Sequence, residues 1–273
     1  MALRINTNIG ALTAHRWLSQ TDSALSKSVE RLSSGYRINV AADDPAGLVI
    51  SEGLRAQVSG LGQAISNTQH AINMVKTAEG AMSEVHNLLR TMRDLAVHAA
   101  NTGVNDVDSI AADQAQITEA LASIDRIADN TQFGTKVLLD GTATGLVFQL
   151  GAYANQTASI DLPDMTTATL FSSGTPDVVA DAQAAITSID AAITAVSSNR
   201  AELGAFQKGS LESNLVSLSI TKENVSASES TIRDADMALE MVTFTRNQIV
   251  LQAGAAMLTQ ANQAPQVVLQ MLR

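Results

Sequence analysis

The chain has 273 residues and a formal net charge of −10, from 17 Lys plus Arg against 27 Asp plus Glu, an acidity that argues against nucleic-acid binding. It contains no cysteine, which excludes disulfides, thiolate metal sites and cysteine nucleophiles. Hydrophobic residues make up 45% of the chain but aromatic residues only 3%, so a mainly helical protein packed through aliphatic side chains is expected.

The N-terminal segment is predicted to form an amphipathic helix. Leu18, Leu25 and Leu32 recur every seven residues, which is the spacing of a helix–helix seam. The first twenty residues lack the apolar core of a cleaved secretion signal, and no uninterrupted apolar run along the chain is long enough to cross a bilayer. The stretch 43–47 (Asp-Asp-Pro-Ala-Gly) then predicts a turn and a new helix, with Pro45 in its first turn.

The clearest pattern lies between residues 72 and about 130. Two apolar rows with a seven-residue repeat predict a long helix that ends near residue 100, and Thr102-Gly103 predicts a reversal into a second helix. Both helices should bury one stripe in a shared seam, as in a coiled-coil rod. The seam residues are Val75, Met82, Leu89 and Met92 in the first helix, and Ile110, Ile117 and Ile124 in the second.

The middle of the chain differs from its two halves. Residues 133–176 contain five glycines, two prolines and short alternating stretches, which predict short strands with turns. Helical periodicity returns at Ile189, Val196 and Leu203 and continues in a shifted register from Leu211. A last amphipathic helix carries the row Val242, Ile249 and Ala256. The two helical halves are therefore expected to fold back and pair.

No residue pattern points to an enzyme, a metal or a cofactor. His86 and His98 are twelve residues apart, which places them on different helix faces, and the sequence contains no His-Glu-x-x-His motif. Gly60-Leu61-Gly62 lacks the third glycine and the preceding strand of a dinucleotide-binding loop. An amphipathic lipid-binding bundle would carry basic residues beside its apolar stripe, and the net charge of −10 argues against that alternative and against membrane insertion.

Several longer stretches of the sequence are specific enough to indicate a protein family. The chain resembles the bacterial flagellins in Ser-Ser-Gly-Tyr-Arg-Ile at 33–38, Ala-Asp-Asp-Pro-Ala-Gly at 42–47, Arg-Asp-Leu-Ala-Val at 93–97, Thr-Gln-Phe at 131–133, and Ala-Ala-Met-Leu-Thr-Gln-Ala-Asn-Gln at 255–263. The resemblance covers nearly the whole chain and implies a short flagellin, with the core domains and little or no variable outer domain. The implied fold is mainly α: an elongated antiparallel helical rod or coiled-coil bundle, with a small β-hairpin element in the middle and paired terminal helices.

The resemblance also implies a domain division and a function. Residues 1–45 and 235–273 would form an inner terminal-helix domain in the filament core, and residues 46–234 a rod domain with its β element at about 133–176. The function would be that of a structural subunit that self-assembles into the flagellar filament for motility. The expected filament-core assembly residues are Leu18, Leu25, Leu32, Ile249 and Ala256. The alternative is a junction protein between hook and filament, or another flagellar accessory protein.

The expected partners follow from the same resemblance. They are other flagellin subunits in a homopolymer, the flagellar type III export apparatus, a secretion chaperone, and the filament cap and junction proteins. The protein would be extracellular and exported without a cleaved signal peptide. An enzymatic flagellin would need an inserted domain with a metal motif, and residues 133–180 are too few and contain no histidine.

One stretch departs from the flagellin pattern. In many flagellins an innate immune receptor contacts a Gln-Arg-x-Arg-Glu-Leu stretch and a Glu on the following helix. Here the stretch is Arg90-Thr91-Met92-Arg93-Asp94-Leu95, and Gln116 stands where the Glu would be. Because Thr91 lacks the multi-donor guanidinium that interfaces favour, weak receptor activation is expected.

Overall fold

The structure, a computed structural model, describes residues 7–172 and 174–271, with side chains through residue 263. Within these residues the chain is mainly α-helical, with two small antiparallel strand pairs, and both features of the expected fold class are confirmed. The helices are α1 (Ile9–Ser34), α2 (Pro45–Ala99), α3 (Val107–Asn130), α4 (Thr167–Leu170), α5 (Val178–Phe206), α6 (Ser213–Arg233) and α7 (Met237–Met271).

Side-chain caps determine where the helices begin. The Asn8 side chain accepts a hydrogen bond from the backbone N–H of Ala11 (3.1 Å) at the start of α1. The carboxylates of Asp106 and Asp177 accept backbone N–H groups in the same way at the starts of α3 and α5. These side chains satisfy N–H groups that have no partner within the helix. Helix α2 begins at Pro45, as the sequence predicts.

The shifted register in the C-terminal half has a structural cause. Residues Gln207–Glu212 form a π-helical turn between α5 and α6. The spacing from Leu203 to Leu211 is eight residues rather than seven, and a π turn accommodates the extra residue. Leu203, Leu211 and Leu218 therefore stay buried on one side of a continuous helical stretch.

The strand pairs lie between α3 and α4. Strands β1 (Gln132–Phe133) and β2 (Lys136–Val137) form a minimal hairpin, whose turn contains Gly134 at φ +65°. Strands β3 (Leu146–Gln149) and β4 (Thr157–Ile160) pair antiparallel, with Leu146 opposite Ile160 and Gln149 opposite Thr157. Leu150 and Ile160, at the ends of this hairpin, join the apolar core.

The chain divides into two compact units. The terminal unit comprises Met1–Ala56 and Asn224–Arg273, and the central unit comprises Gln57–Glu223. The boundaries fall inside α2 and α6 rather than in loops, so turn residues in the sequence cannot mark them. In the central unit, α2, α3 and α5 share one core, whose fully buried side chains include Val75, Met82, Leu89, Met92, Ile117, Ile124, Ile189 and Val196.

One helical stretch has the length and composition of a membrane-spanning helix. The stretch is Val178–Arg233, which meets this criterion by its mean hydropathy and not as an uninterrupted apolar run, since Gln183, Asp190 and Asn199 interrupt it. Alanine contributes much of its apolar character, and Ile189, Val196 and Leu203 are buried against the other helices of the central unit. The buried residues of α5 form one stripe and the rest of the helix is more exposed, which is the packing of an amphipathic bundle helix.

Candidate functional site

The two terminal helices pair with each other in the terminal unit. Leu18, Leu25 and Leu32 are half-buried along one side of α1. At the start of α1, the Asn8 Nδ2 donates a hydrogen bond to the backbone carbonyl of Ala261 in α7 (2.7 Å). A Cβ added at Gly254 would lie 3.2 Å from the Leu18 side chain, so glycine at this position permits close approach of the helices.

The inner side of α7 is a stripe with the heptad spacing of a seam. Phe244, Leu251 and Leu258 are half-buried, and Asn247 is buried between them. These positions recur at intervals of three, four and seven residues, so they lie on one side of the helix. This stripe, which the sequence analysis did not select, is the one that faces α1.

The opposite side of α7 is apolar and in contact with solvent. Val242 is 66% exposed and Ile249 is 60% exposed. We call this surface the outer face of α7 and define it by Leu239, Met241, Val242, Ile249, Val250 and Met257, all of which are exposed. The part from Met241 to Val250 forms a shallow apolar groove, whose lining also includes Thr245 and Arg246. Contiguous exposed apolar surface of this kind is typical of an interaction site.

The five expected filament-core residues therefore lie on two different surfaces. Leu18, Leu25 and Leu32 lie in the α1–α7 seam, whereas Ile249 and Ala256 are exposed on the side of α7 that faces away from α1. The apolar residues of α7 occur on both of its sides, and periodicity alone does not distinguish which side meets α1.

We call the segment between α1 and α2, residues 35–44, the connector. Hydrogen bonds fix its backbone conformation. Gly35 adopts φ +76° and its N–H donates to the carbonyl of Arg31 (2.8 Å), which ends α1. The Ser34 hydroxyl accepts from the N–H of Tyr36 (3.1 Å) and from the Asn39 side chain (2.8 Å). These contacts give structural roles to Ser34 and Gly35 of the Ser-Ser-Gly-Tyr-Arg-Ile stretch.

Gly47 is required where the connector meets α2. A Cβ at this position would lie 2.8 Å from the Ile38 side chain, which is almost fully buried, and closer still to the Asp44 carboxylate. That carboxylate accepts the N–H of Gly47 (2.9 Å) and caps α2. The Asp-Asp-Pro-Ala-Gly stretch thus combines a cap, a helix start and a position where a side chain would require Asp44 and Ile38 to move.

Arg233, at the end of α6, joins the connector to α2. Its carbonyl accepts the N–H of Arg37 (2.6 Å), its Nη1 donates to Glu52 Oε1 (2.8 Å), and its guanidinium lies 4.7 Å from the centre of the Tyr36 ring. The Arg233 guanidinium, with Arg55 second, holds the pKa of Glu52 below its usual value. Sequence reasoning missed Arg233 and Glu52 because they are 181 residues apart and neither belongs to an apolar row.

Asp43 is the most strongly perturbed carboxylate of the connector. Its side chain is 8% exposed and its Oδ1 lies 2.6 Å from Lys27 Nζ. Its Oδ2 accepts the backbone N–H groups of Asn39 (3.1 Å) and Val40 (3.2 Å). The hydrogen bond from Lys27, followed by those two N–H groups, lowers the pKa of Asp43 to about 2.

We expect the Asp43 carboxyl carbon to titrate near pH 2 in a pH series followed by NMR. Because the folded pKa lies below the ordinary value of 3.8 for an aspartate, the carboxylate stabilises the connector above that value, and the stabilisation is lost as the pH falls through about 2. Lys27→Gln should move the midpoint upward toward 3.8. Lys76→Gln, a change on α2, is the control. An unchanged midpoint in Lys27→Gln would contradict the assignment of Lys27 as the main cause.

The expected rod-seam residues lie in the core of the central unit. Val75, Met82, Leu89, Met92, Ile117 and Ile124 are fully buried, and Ile110, in the first turn of α3, is half-buried and packs against the same core. The connection between α2 and α3 is residues 100–106, where the sequence predicts the reversal.

The expected receptor region forms an exposed strip on α2 and α3. Arg90, Thr91 and Gln116 are exposed, and Leu95 is half-buried. Arg93 Nε donates to Asp190 Oδ1 on α5 (2.6 Å), and both side chains are partly exposed. The Thr91 hydroxyl donates to the carbonyl of Asn87 one turn earlier (3.1 Å), so it is engaged with its own helix.

His98, near the end of α2, contacts a carboxylate of α3. His98 Nδ1 lies 2.7 Å from Asp113 Oδ2, which joins the end of α2 to α3. Among the residues with described positions, no group of three or more His, Asp or Glu side chains is arranged to hold a metal ion.

Comparison with known proteins gives two matches to family models. Residues 5–144 match the bacterial flagellin N-terminal helical region, and residues 186–272 match the bacterial flagellin C-terminal helical region. The first match contains α1, the connector, α2 and α3, and the second contains most of α5 together with α6 and α7. The family models therefore include both helices of the terminal pair.

Full-length relatives and a solved structure agree with these matches. The chain is 44% identical to a flagellin of Bacillus subtilis, over 99% of this chain and 100% of that protein. It is 45% identical to a flagellin of Halalkalibacterium halodurans, over 98% of this chain and 99% of that protein. The crystal structure of Bacillus cereus flagellin aligns with a TM-score of 0.51 at 30% identity, covering 56% of this chain and 88% of that one.

Proposed function

The chain belongs to the bacterial flagellin family, and from this premise we propose that its terminal helices carry the contacts by which copies of the chain assemble into a filament. The protein is a structural subunit of the bacterial flagellar filament, an extracellular assembly. The match extends along the whole length of flagellin relatives, and nothing favours the alternative of a junction or accessory protein.

The outer face of α7 is the single observation that carries the assembly proposal. A helix with apolar side chains on both sides can bury only one of them against α1, and the other stays in water until a further partner covers it. A filament offers that partner in a second copy of the chain. Identical contacts that do not close into a ring generate an open helical polymer.

The proposed domain roles follow from this distribution. The terminal unit, close to residues 1–45 and 235–273, would form the filament core, and residues 46–234 would form the rod domain. Within the core, Leu18, Leu25 and Leu32 would hold α1 on α7, while Ile249 and Ala256 would contact neighbouring subunits. Burying a side chain as large as Ile249 is worth about 1.5–3 kcal/mol before ordering costs.

The finer assignments of partners and export route are also proposals. Export through the flagellar type III apparatus without a cleaved signal peptide would deliver the subunit to the filament tip. A secretion chaperone fits this route, because the outer face of α7 would otherwise be exposed before export. The filament cap and junction proteins would meet the same terminal helices at the ends of the polymer.

Seeded polymerisation tests the proposed function. Purified subunit is mixed with short filament seeds or a precipitating salt and imaged by electron microscopy, with seeds alone and subunit alone as controls. We expect long tubes that grow from the seeds. Subunits that stay dispersed beside intact seeds, with helical circular dichroism, would instead support the junction or accessory alternative.

A separate prediction concerns the exposed strip that contains Thr91. We expect the wild-type protein to activate the flagellin-sensing receptor weakly in reporter cells, and Thr91→Arg to increase its potency. An added guanidinium at an interface is worth about 1–2 kcal/mol, or roughly 5- to 30-fold in half-maximal concentration.

The control for the receptor prediction is a second arginine outside the strip. Thr77→Arg adds the same group at an exposed position of α2 whose hydroxyl, like that of Thr91, donates to the carbonyl one turn earlier, and its potency should equal that of the wild type. Strong activation by the wild-type protein, or an equal gain from both variants, would contradict the role of Thr91.

A further inference from the structure

The methionine residues fall into two groups that coincide with the two units. Of the nine in the chain, four lie in the central unit and all are buried, at 6% exposure or less: Met74, Met82, Met92 and Met165. Three lie on α7 and are 45%, 51% and 64% exposed: Met237, Met241 and Met257. The side chains of Met1 and Met271 lie outside the described residues.

This division matters because a methionine thioether is oxidised according to its exposure. With a hydroperoxide, the sulfur lone pair attacks the O–H oxygen and forms an S–O bond as the O–O bond breaks. The proton of the attacked oxygen moves to the leaving oxygen, which departs as water or an alcohol, and the sulfoxide remains. Sulfur loses two electrons and the peroxide gains them. The chain contains no cysteine thiol that would react first, so the exposed methionines of α7 are its most accessible oxidisable sulfur atoms among the described side chains.

Oxidation would change the surface on which assembly depends. Met241 and Met257 belong to the outer face of α7 and flank Val242 and Ile249. A sulfoxide replaces a flexible apolar side chain with a polar one. Its oxygen is hydrated in the free subunit and would lose that water when a neighbouring subunit covers it, which disfavours burial.

We propose that Met241 and Met257, on the outer face of α7, form an oxidation-sensitive site that controls whether the free subunit can assemble, with peroxides as the oxidant class and methionine sulfoxide reductases as the route of repair. The inference rests on the proposed function, since it requires α7 to be covered in the filament. The central unit would stay folded, because its methionines are buried. Assembled subunits would be protected, since their α7 surfaces are covered.

Graded peroxide treatment of the purified subunit tests the proposal. Hydrogen peroxide is added for increasing times and removed. Peptide mass spectrometry then locates the sulfoxides, circular dichroism reports helix content, and seeded growth reports assembly. We expect sulfoxide at Met237, Met241 and Met257 before any of the four buried methionines, unchanged helix content, and growth reduced about tenfold or more. Treatment with both stereospecific methionine sulfoxide reductases should restore growth.

Two variants separate this site from other effects of peroxide. In the triple variant Met237→Leu, Met241→Leu, Met257→Leu, the volume and apolar character are kept and the oxidisable sulfur is removed. Compared with its own growth without peroxide, this variant should lose no growth after peroxide treatment. Met82→Leu, which changes a buried methionine, should remain as sensitive as the wild type. Filaments treated after assembly should show little sulfoxide on α7.

The possible failures are distinguishable. Normal growth of subunits that carry all three sulfoxides would overturn the oxidation site alone, as would continued sensitivity of the triple leucine variant. Buried and exposed methionines that oxidise at equal rates would also overturn it. Untreated subunit that never joins seeds would refute the filament contacts themselves, and the oxidation proposal with them.

Discussion

Ile249→Asp is expected to abolish filament growth while leaving the isolated subunit folded. The Ile249 side chain is 60% exposed on the outer face of α7, so the substitution removes little packing from the free chain. In the filament the new carboxylate would be buried without a partner, which costs about 3 kcal/mol or more per subunit. That cost corresponds to a rise of roughly 100-fold or more in the critical concentration for assembly, measured by sedimentation after seeding.

Two controls make this result specific. Ile249→Leu keeps the apolar contact and should assemble with a critical concentration close to that of the wild type. Val179→Asp places a carboxylate at an exposed position in the first turn of α5 in the central unit, where it should affect neither folding nor growth. Normal filaments from Ile249→Asp would exclude the outer face of α7 as a subunit contact.

A substitution in the α1–α7 seam is expected to affect both filament growth and the stability of the free subunit. Leu25→Asp should also stop growth, but it should in addition weaken the packing of α1 on α7 in the free subunit, because Leu25 is half-buried there. Faster proteolysis of the terminal helices in Leu25→Asp, with no change in Ile249→Asp, would distinguish the two surfaces of the terminal unit.

Leu89→Ala is expected to lower the free energy of unfolding of the central unit substantially. Leu89 on α2 is fully buried in the core shared with α3 and α5. Removing its isobutyl group leaves a cavity, and such substitutions cost about 2–5 kcal/mol. Native-state hydrogen exchange should therefore accelerate by roughly 30- to 5,000-fold for the slowest amides of α2, α3 and α5.

Val97→Ala is the matched control on the same helix. Val97 is 47% exposed, so its truncation should change stability by no more than about 0.5 kcal/mol. If Leu89→Ala accelerated exchange no more than Val97→Ala, α2 would not pack in the core as described. Exchange in α7 should be little affected by either variant, because α7 lies in the terminal unit.

The buried stripe of α2 and the heptad row of α7 show what sequence periodicity can predict and what it cannot. A seven-residue repeat at Val75, Met82 and Leu89 identified a buried stripe because the exposed residues of that helix between positions 72 and 96 are mainly polar. In α7 the repeat at Val242, Ile249 and Ala256 is equally regular, yet these residues face away from α1. A helix that is apolar on both sides carries two candidate stripes, and only the three-dimensional partner distinguishes them.

The change of register between Leu203 and Leu211 was also only partly predictable from the sequence. The eight-residue spacing is visible in the sequence and indicates a shifted seam. It does not indicate whether the helix breaks, kinks or widens. The structure has a π-helical turn at Gln207–Glu212, which absorbs one residue and keeps both leucines in the core.

The sequence by itself determined the helical class, the position of the β element, the start of α2 at Pro45, the seam of α2 and α3, and the family. These features depend on local caps, turns and repeats, which are encoded within a few turns of chain. Only the tertiary structure decided which side of α7 meets α1, that Arg233 meets Glu52 and Tyr36, and that the exposed methionines gather on one helix. Each of these depends on which distant segments meet, and local sequence carries no information about such contacts.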